Sequence, residues 1–255
     1  MEKLLIFSFV VLTTIIVTIV IINKKGISKP TKDLLLKIFA TLTVALHFSS
    51  LWVDYLKTGT ATVDNTMLFP IYPCNICMWL LLIYAFGKNK ESKVFKTIAE
   101  FLAIGGTVCG VIGLVANDIF LRTPSFLVYD SLKGLLSHSS MIFGTMIILC
   151  TGYIEIRALS ITKSTFAGLM LFATIGALIN SLFKMCRIDS VNAMFMEEFP
   201  LDMPGANFIT MGLLALVVVL LGTTVYEIST LEKTDRWFNK IRNNEGEKEN
   251  ERVIL

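Results

Sequence analysis

Long apolar runs of about twenty residues, separated by short charged loops, constrain this chain more than any other feature. A hydrocarbon core about 30 Å thick needs about 20 residues of helix to cross it. Inside it each backbone N–H and C=O must be paired within its own helix. Seven such runs can be read: Leu4–Ile22, Leu34–Tyr55, Met67–Phe86, Ile98–Ala116, Gly134–Tyr153, Thr165–Met185 and Phe208–Ile228. The expected fold is all-α, a polytopic bundle of seven membrane helices over residues 1–231, with a charged tail at 232–255. The tail is expected to be helical from Glu232 and disordered at Asn243–Arg252.

Composition excludes the main competitor. With 54% hydrophobic and 17% charged residues and a mean hydropathy of +0.70, this is not an ordinary soluble domain. The net charge of +3 is small and sits in loops and the tail, so it reports topology and not nucleic-acid binding. Five cysteines, an odd number in apolar segments, do not suggest a disulfide framework. Lys24-Lys25 follow the first run directly, without a small-residue cleavage region, so that run is expected to be a retained helix.

Lysines crowd the loops after the first and third runs, and the loop after the fifth is mildly basic. The positive-inside rule makes those loops and the C-terminus cytoplasmic and puts the N-terminus outside. Two prolines, Pro70 and Pro73, mark the outer start of the third run, where a missing N–H is tolerated. Cys74 and Asn75 then stand at its mouth. Ser137 and His138 stand about one turn into the fifth run. His47 is expected about two turns below the outer end of the second, and Asn180 near the outer end of the sixth. The four loci share the outer half of the membrane. Histidine in a membrane helix points to function by default, whereas cysteine is commonly a small buried hydrophobe.

An imidazole beside a thiol makes it a nucleophile. Cys74 and His138 form a candidate dyad if their helices face each other, with Tyr72, Asn75, Ser137 and Ser139 available to orient the ring or stabilise an oxyanion. Packing is the competing reading for Cys74, and a helix–helix hydrogen bond for His47. The span-four glycines Gly105, Gly106, Gly110 and Gly113 read as packing positions. Cys74-Asn-Ile-Cys77 is a CxxC, which raises thiol–disulfide exchange as another chemistry. Cys109 and Cys150 are expected deeper, away from that pair.

At these residues the chain resembles the YwaF family of bacterial integral membrane proteins, itself similar to eukaryotic transmembrane protein 164. The resemblance rests on Pro70-Ile-Tyr72-Pro-Cys74-Asn75, Ser137-His138, Asn180, Asn192-Ala-Met194-Phe195-Met196 and Pro200, over roughly residues 34–228. Tyr72 stands where the bacterial pattern has histidine, and Ala193 where it has tyrosine. The eukaryotic relative is regarded as a cysteine-dependent acyltransferase that remodels phospholipids. The resemblance therefore implies Cys74 as nucleophile and His138 as its partner.

The leading expectation is an acyltransferase or acyl hydrolase in the cell membrane. Its partner would be a membrane lipid, with neither cofactor nor metal and no nucleic acid. Asn75 or Asn180 would hold the oxyanion, and His47, Tyr72, Ser137 and Asn192 would have orienting roles. A non-enzymatic binding protein or small transporter is the alternative, although the run interiors carry few charges of the kind an ion path uses.

Overall fold

The computed structural model describes residues 2–60, 63, 65–122, 125–187, 191–198, 200 and 203–241. The helices are α1 (Glu2–Lys24), α2 (Lys29–Thr58), a single turn α3 (Asn65–Leu68), α4 (Pro73–Phe86), α5 (Lys93–Phe101), α6 (Thr107–Val115), a short α7 (Asp118–Arg122), α8 (Tyr129–Cys150), α9 (Ala158–Met185) and α10 (Phe208–Thr230). No strand occurs among the described residues. Residues 237–241 are helical, and the expected disordered end of the tail lies outside the described residues.

Among the described residues, six helical stretches are long and apolar enough to cross a membrane, against the seven expected. The difference falls on the third run. It is broken at residues 69–72, between Pro70 and Pro73, and α4 keeps only 14 residues. That is about 21 Å at 1.5 Å per residue, short of a core of about 30 Å. The first proline cannot donate to a preceding helix, and the second takes the first position of α4, so the chain turns once between them.

α5 and α6 form one continuous stretch through a π turn at Leu102–Gly106. Phe101 fills the space that Gly105 and, on α9, Gly168 leave open; a Cβ at Gly168 would meet its ring at 2.1 Å. Lipid gives apolar helices no solvent-driven reason to associate, so close packing at small residues carries much of the association. Gly110 lies against Ile142 and Gly144 against Leu81, where added Cβ atoms would meet side chains at 2.6 and 2.9 Å. Gly106, Gly110 and Gly113 therefore serve the contact with α8. Many large apolar side chains of α1 and α10 remain exposed, as lipid-facing surfaces would.

Polar contacts fix which helix ends lie together. At one end, Asn23 Nδ2 donates to Cys150 O (2.9 Å) and Lys32 Nζ to Thr151 O (3.1 Å). There Asp33 accepts from Lys90 at 2.7 Å and from the Tyr153 hydroxyl at 2.9 Å. Burial, then the Asp33 contact, holds the Tyr153 phenol well above its ordinary range. The buried Glu227 carboxylate accepts from the N–H groups of Ala158 (2.6 Å) and Trp237 (3.0 Å), tying α9 and the chain after α10 together. At the opposite end Tyr129 donates to Ser49 (2.7 Å), Lys133 donates to Ser50, and Ser50 donates to Asp130 (3.0 Å). The ends of α2 and α9 and the starts of α4 and α8 thus share one end of the bundle.

Candidate functional site

Cys74 is the second residue of α4 and lies in its first turn. Asn75 adds order to the same turn. Its Oδ1 accepts from the Tyr72 N–H at 2.9 Å, which caps the helix and commits that oxygen. Asn75 is buried and its Nδ2 makes no hydrogen bond among the described residues. This group is an available side-chain donor at the cavity.

A cavity of about 40 Å³ lies at this turn. α4 contributes Cys74, Asn75 and Met78; α2 contributes Thr43 and His47; α8 contributes Ser137, His138 and Met141. The chain has two histidines, and both line this cavity. The Ser137 hydroxyl donates to Thr43 O at 3.2 Å, pinning α8 to α2 below it. His138 Nδ1 is 2.8 Å from Gly134 O. A carbonyl only accepts, so Nδ1 carries the proton in the neutral ring and Nε2 keeps its lone pair. The Nε2 edge rests on Gly113, where a Cβ would stand 2.1 Å from Nε2. His47 lies edge-on to Phe48, with ring centroids 5.1 Å apart.

The remaining expected residues are placed elsewhere. Tyr72 caps α4 through its backbone, and its ring leans on Phe195 at 5.7 Å. Asn180 does not line the cavity. Its Oδ1 accepts from Ala193 N at 2.8 Å, and its Nδ2 donates to Ala193 O at 3.5 Å. Asn192 Oδ1 accepts from Glu197 N at 3.0 Å and Glu198 N at 3.3 Å, and its amide donates to Glu198 O. Both asparagines shape the segment 191–198. Ser139 donates back to Leu135 O at 2.7 Å within its own helix.

That segment folds back over the break in the third run. Met194 N donates to Ile71 O at 2.7 Å, and Ala193 and Met194 are buried. Met194 and Phe195 have φ of 56° and 55°, the left-handed region that costs a side-chain-bearing residue about 1–3 kcal/mol. Gly176 makes room for it, since a Cβ there would meet Met196 Sδ at 2.6 Å.

The site also lies further from the helix ends than the sequence suggested. α8 starts at Tyr129, not Gly134, so His138 is nine residues from its start, about 14 Å along the axis. His47 is eleven residues from the end of α2, about 16 Å. The first turn of α4 meets them there because α4 is short and recessed. Irregular backbone is tolerated at such depth where it lines a cavity or is buried in protein. Four contributors escaped the sequence reading. Thr43, Met78 and Met141 carry no chemical signature. Gly113 was grouped with the packing glycines, although its place beside His138 follows the same small-residue seam as Gly106 and Gly110.

Comparison with known families matches residues 1–226 to the TMEM164 family. The chain belongs to the TMEM164 family. Of the two families named from the motifs, this is the one the match shows, and it takes in every residue of the cavity. No curated protein and no solved structure matches this TMEM164-family chain.

Proposed function

We propose that this chain is a thiol-dependent enzyme that transfers or hydrolyses the acyl group of a membrane lipid at the Cys74 cavity. The observation that carries the reading is the meeting of both histidines with a helix-N-terminal cysteine, from three helices distant in sequence. Family membership adds to it. His138 Nε2 takes the thiol proton, and Cys74 Sγ attacks the ester carbonyl carbon. Negative charge on the carbonyl oxygen is met by Asn75 Nδ2 and the Cys74 N–H. The C–O bond breaks, His138 returns the proton to the departing alcohol, and a Cys74 thioester remains. An acceptor alcohol or water then attacks the thioester, with His138 again as base. His47 and Ser137 border the reacting atoms and orient them.

In this reading the end of the bundle bearing Asp33 and Lys90 is cytoplasmic and the cavity end outside, which the basic loops support, and the membrane is the cell membrane. Acyl–biotin exchange tests the reading on protein purified with its lipids. Hydroxylamine-sensitive labelling is expected on the wild type and lost in Cys74→Ser. Equal labelling of both removes Cys74 as the acyl carrier and leaves a lipid-binding or transport role as the better account.

A further inference from the structure

The cavity at Cys74 cannot hold a whole lipid. A water needs about 10–15 Å³ of such space. About 40 Å³ therefore holds the few heavy atoms of an ester group and none of the chain attached to it. On the acyl reading, an ester seated there must send its acyl chain out between two of the surrounding helices.

Most seams around the cavity are fastened. Ser137 joins α8 to Thr43 O of α2 at 3.2 Å on one side of it. One turn away on the other side, Lys133 donates to Ser50, and Ser50 donates to Asp130 at 3.0 Å. Residues 133 and 137 share a face of α8, as residues 47 and 50 share a face of α2, so these bonds close the α2–α8 seam over the cavity. α6 presses Gly113 against the His138 ring. The segment 191–198 is bonded to the chain just before α4, through Met194 N and Ile71 O at 2.7 Å.

The seam between α2 and α4 is built from rings. His47 and Met78 line the cavity. The residues that follow them, Phe48 and Trp79, pack across the seam with centroids 5.8 Å apart. Phe48 is half-buried and also meets the His47 ring edge-on. Trp79 is 39% exposed. Trp52, four residues after Phe48, and Ile83, four after Trp79, are exposed on the same helix faces. Phe48 thus touches a ring of the cavity wall on one side and a ring of the exposed apolar face on the other. In a bundle with six apolar helices of spanning length, lipid chains cover such a face.

We propose that the acyl chain of a membrane lipid passes between α2 and α4, with Phe48 as its gate and the Trp79–Ile83 face as its bed. Rotation of the Phe48 ring out of the seam opens the way, and unbranched Met78 adapts behind it. The occupant is that of the acyl reading, whereas the passage itself is detected by access to the Cys74 thiol and needs no turnover.

The test uses the full chain in phosphatidylcholine vesicles and two methanethiosulfonates. One carries a dodecyl chain and dissolves in the bilayer; the other carries a sulfonate and stays in water. Modification of Cys74 is followed by tandem mass spectrometry, and the sulfonate rate is scaled to that of exposed Cys186. The dodecyl reagent is expected to modify wild-type Cys74 at least tenfold faster than the sulfonate. Phe48→Ala is expected to raise the dodecyl rate at least fivefold and leave the sulfonate rate unchanged, and Phe48→Trp to lower the dodecyl rate. Where Phe48→Ala loses its monodisperse elution peak, Trp79→Leu serves instead and is expected to move the rate the same way. Ser50→Ala unfastens α2 from α8 and is expected to leave both rates unchanged. Faster sulfonate modification in Ser50→Ala, with no response to the Phe48 variants, overturns the proposal and puts entry at the helix ends. So does a Cys74 that neither reagent modifies while Cys186 reacts. Dodecyl modification gated at Phe48, in a chain whose Cys74 carries no hydroxylamine-sensitive label, keeps the passage and removes the acyl reading.

Discussion

At the scale of single residues, Gly113 and Asn75 are the most exacting positions around Cys74. A Cβ at residue 113 would stand 2.1 Å from His138 Nε2, so Gly113→Ala must displace the imidazole. Gly110→Ala meets Ile142 Cγ1 at 2.6 Å and is the natural control. Both are expected to cost about 1–3 kcal/mol of stability by overpacking, read as a lowered melting temperature in detergent. Only Gly113→Ala is expected to reduce Cys74 acylation, and equal loss in both would show the histidine contact to be incidental. Asn75→Ala removes the cap on Tyr72 N–H, worth about 1 kcal/mol. If Nδ2 meets the oxyanion, it also lowers acyl transfer by roughly 10²–10³. A capping role alone lowers the melting temperature and leaves the turnover of folded protein intact.

At the scale of elements, the broken third run and the segment clipped over it act as one unit. Asn180→Ala deletes both bonds to Ala193. Hydrogen exchange at Ala193 and Met194 is expected to rise well before exchange in α9 does. Met194→Gly relieves the side chain held at φ 56° but also deletes a buried side chain, whose loss of about 2–5 kcal/mol outweighs the relief, so the melting temperature is expected to fall. At the other end of the bundle, the raised Tyr153 phenol gives a pH dependence with a definite sign. The unfolded tyrosine ionises near pH 10 while the folded one stays neutral. Its contribution is therefore complete below that pH and lost as pH rises above it. Tyr153→Phe should flatten that part of a stability–pH curve.

The whole molecule shows how far a sequence can be read. Apolar runs located every long helix, because a lipid-exposed helix must be apolar along its length. Charge misled where polar residues pair across a seam. Asp130 and Lys133 look like loop residues, yet they belong to α8 and are held by Ser50 of α2. That hid the first turn of α8 and put His138 too near the helix start. Cys74, His47, Asn75, Ser137 and His138 were legible as a group because their residue types are rare in such helices. Gly113 was not, since its role depends on how α6 is rotated against α8. The side of the membrane is tested on intact cells with a membrane-impermeant maleimide. Exposed Cys186, at the cavity end of α9, is expected to label from outside, and Cys150 only after permeabilisation. The opposite pattern reverses the topology.

The π turn at Leu102–Gly106 carries an evolutionary and engineering consequence. It holds one residue more than an α-helix would use there, which amounts to about 100° of rotation. Before it, Glu100 accepts from Ser160 and Ser164 of α9 at 2.7 and 2.5 Å. After it, Gly113 faces His138 of α8. Deleting a single residue from the turn would let the helix run regular while swinging Gly113 away from its partner. Length at this point acts as a setting of the site, so a one-residue gap within 102–106 should disable a relative whose Cys74 and His138 counterparts are intact.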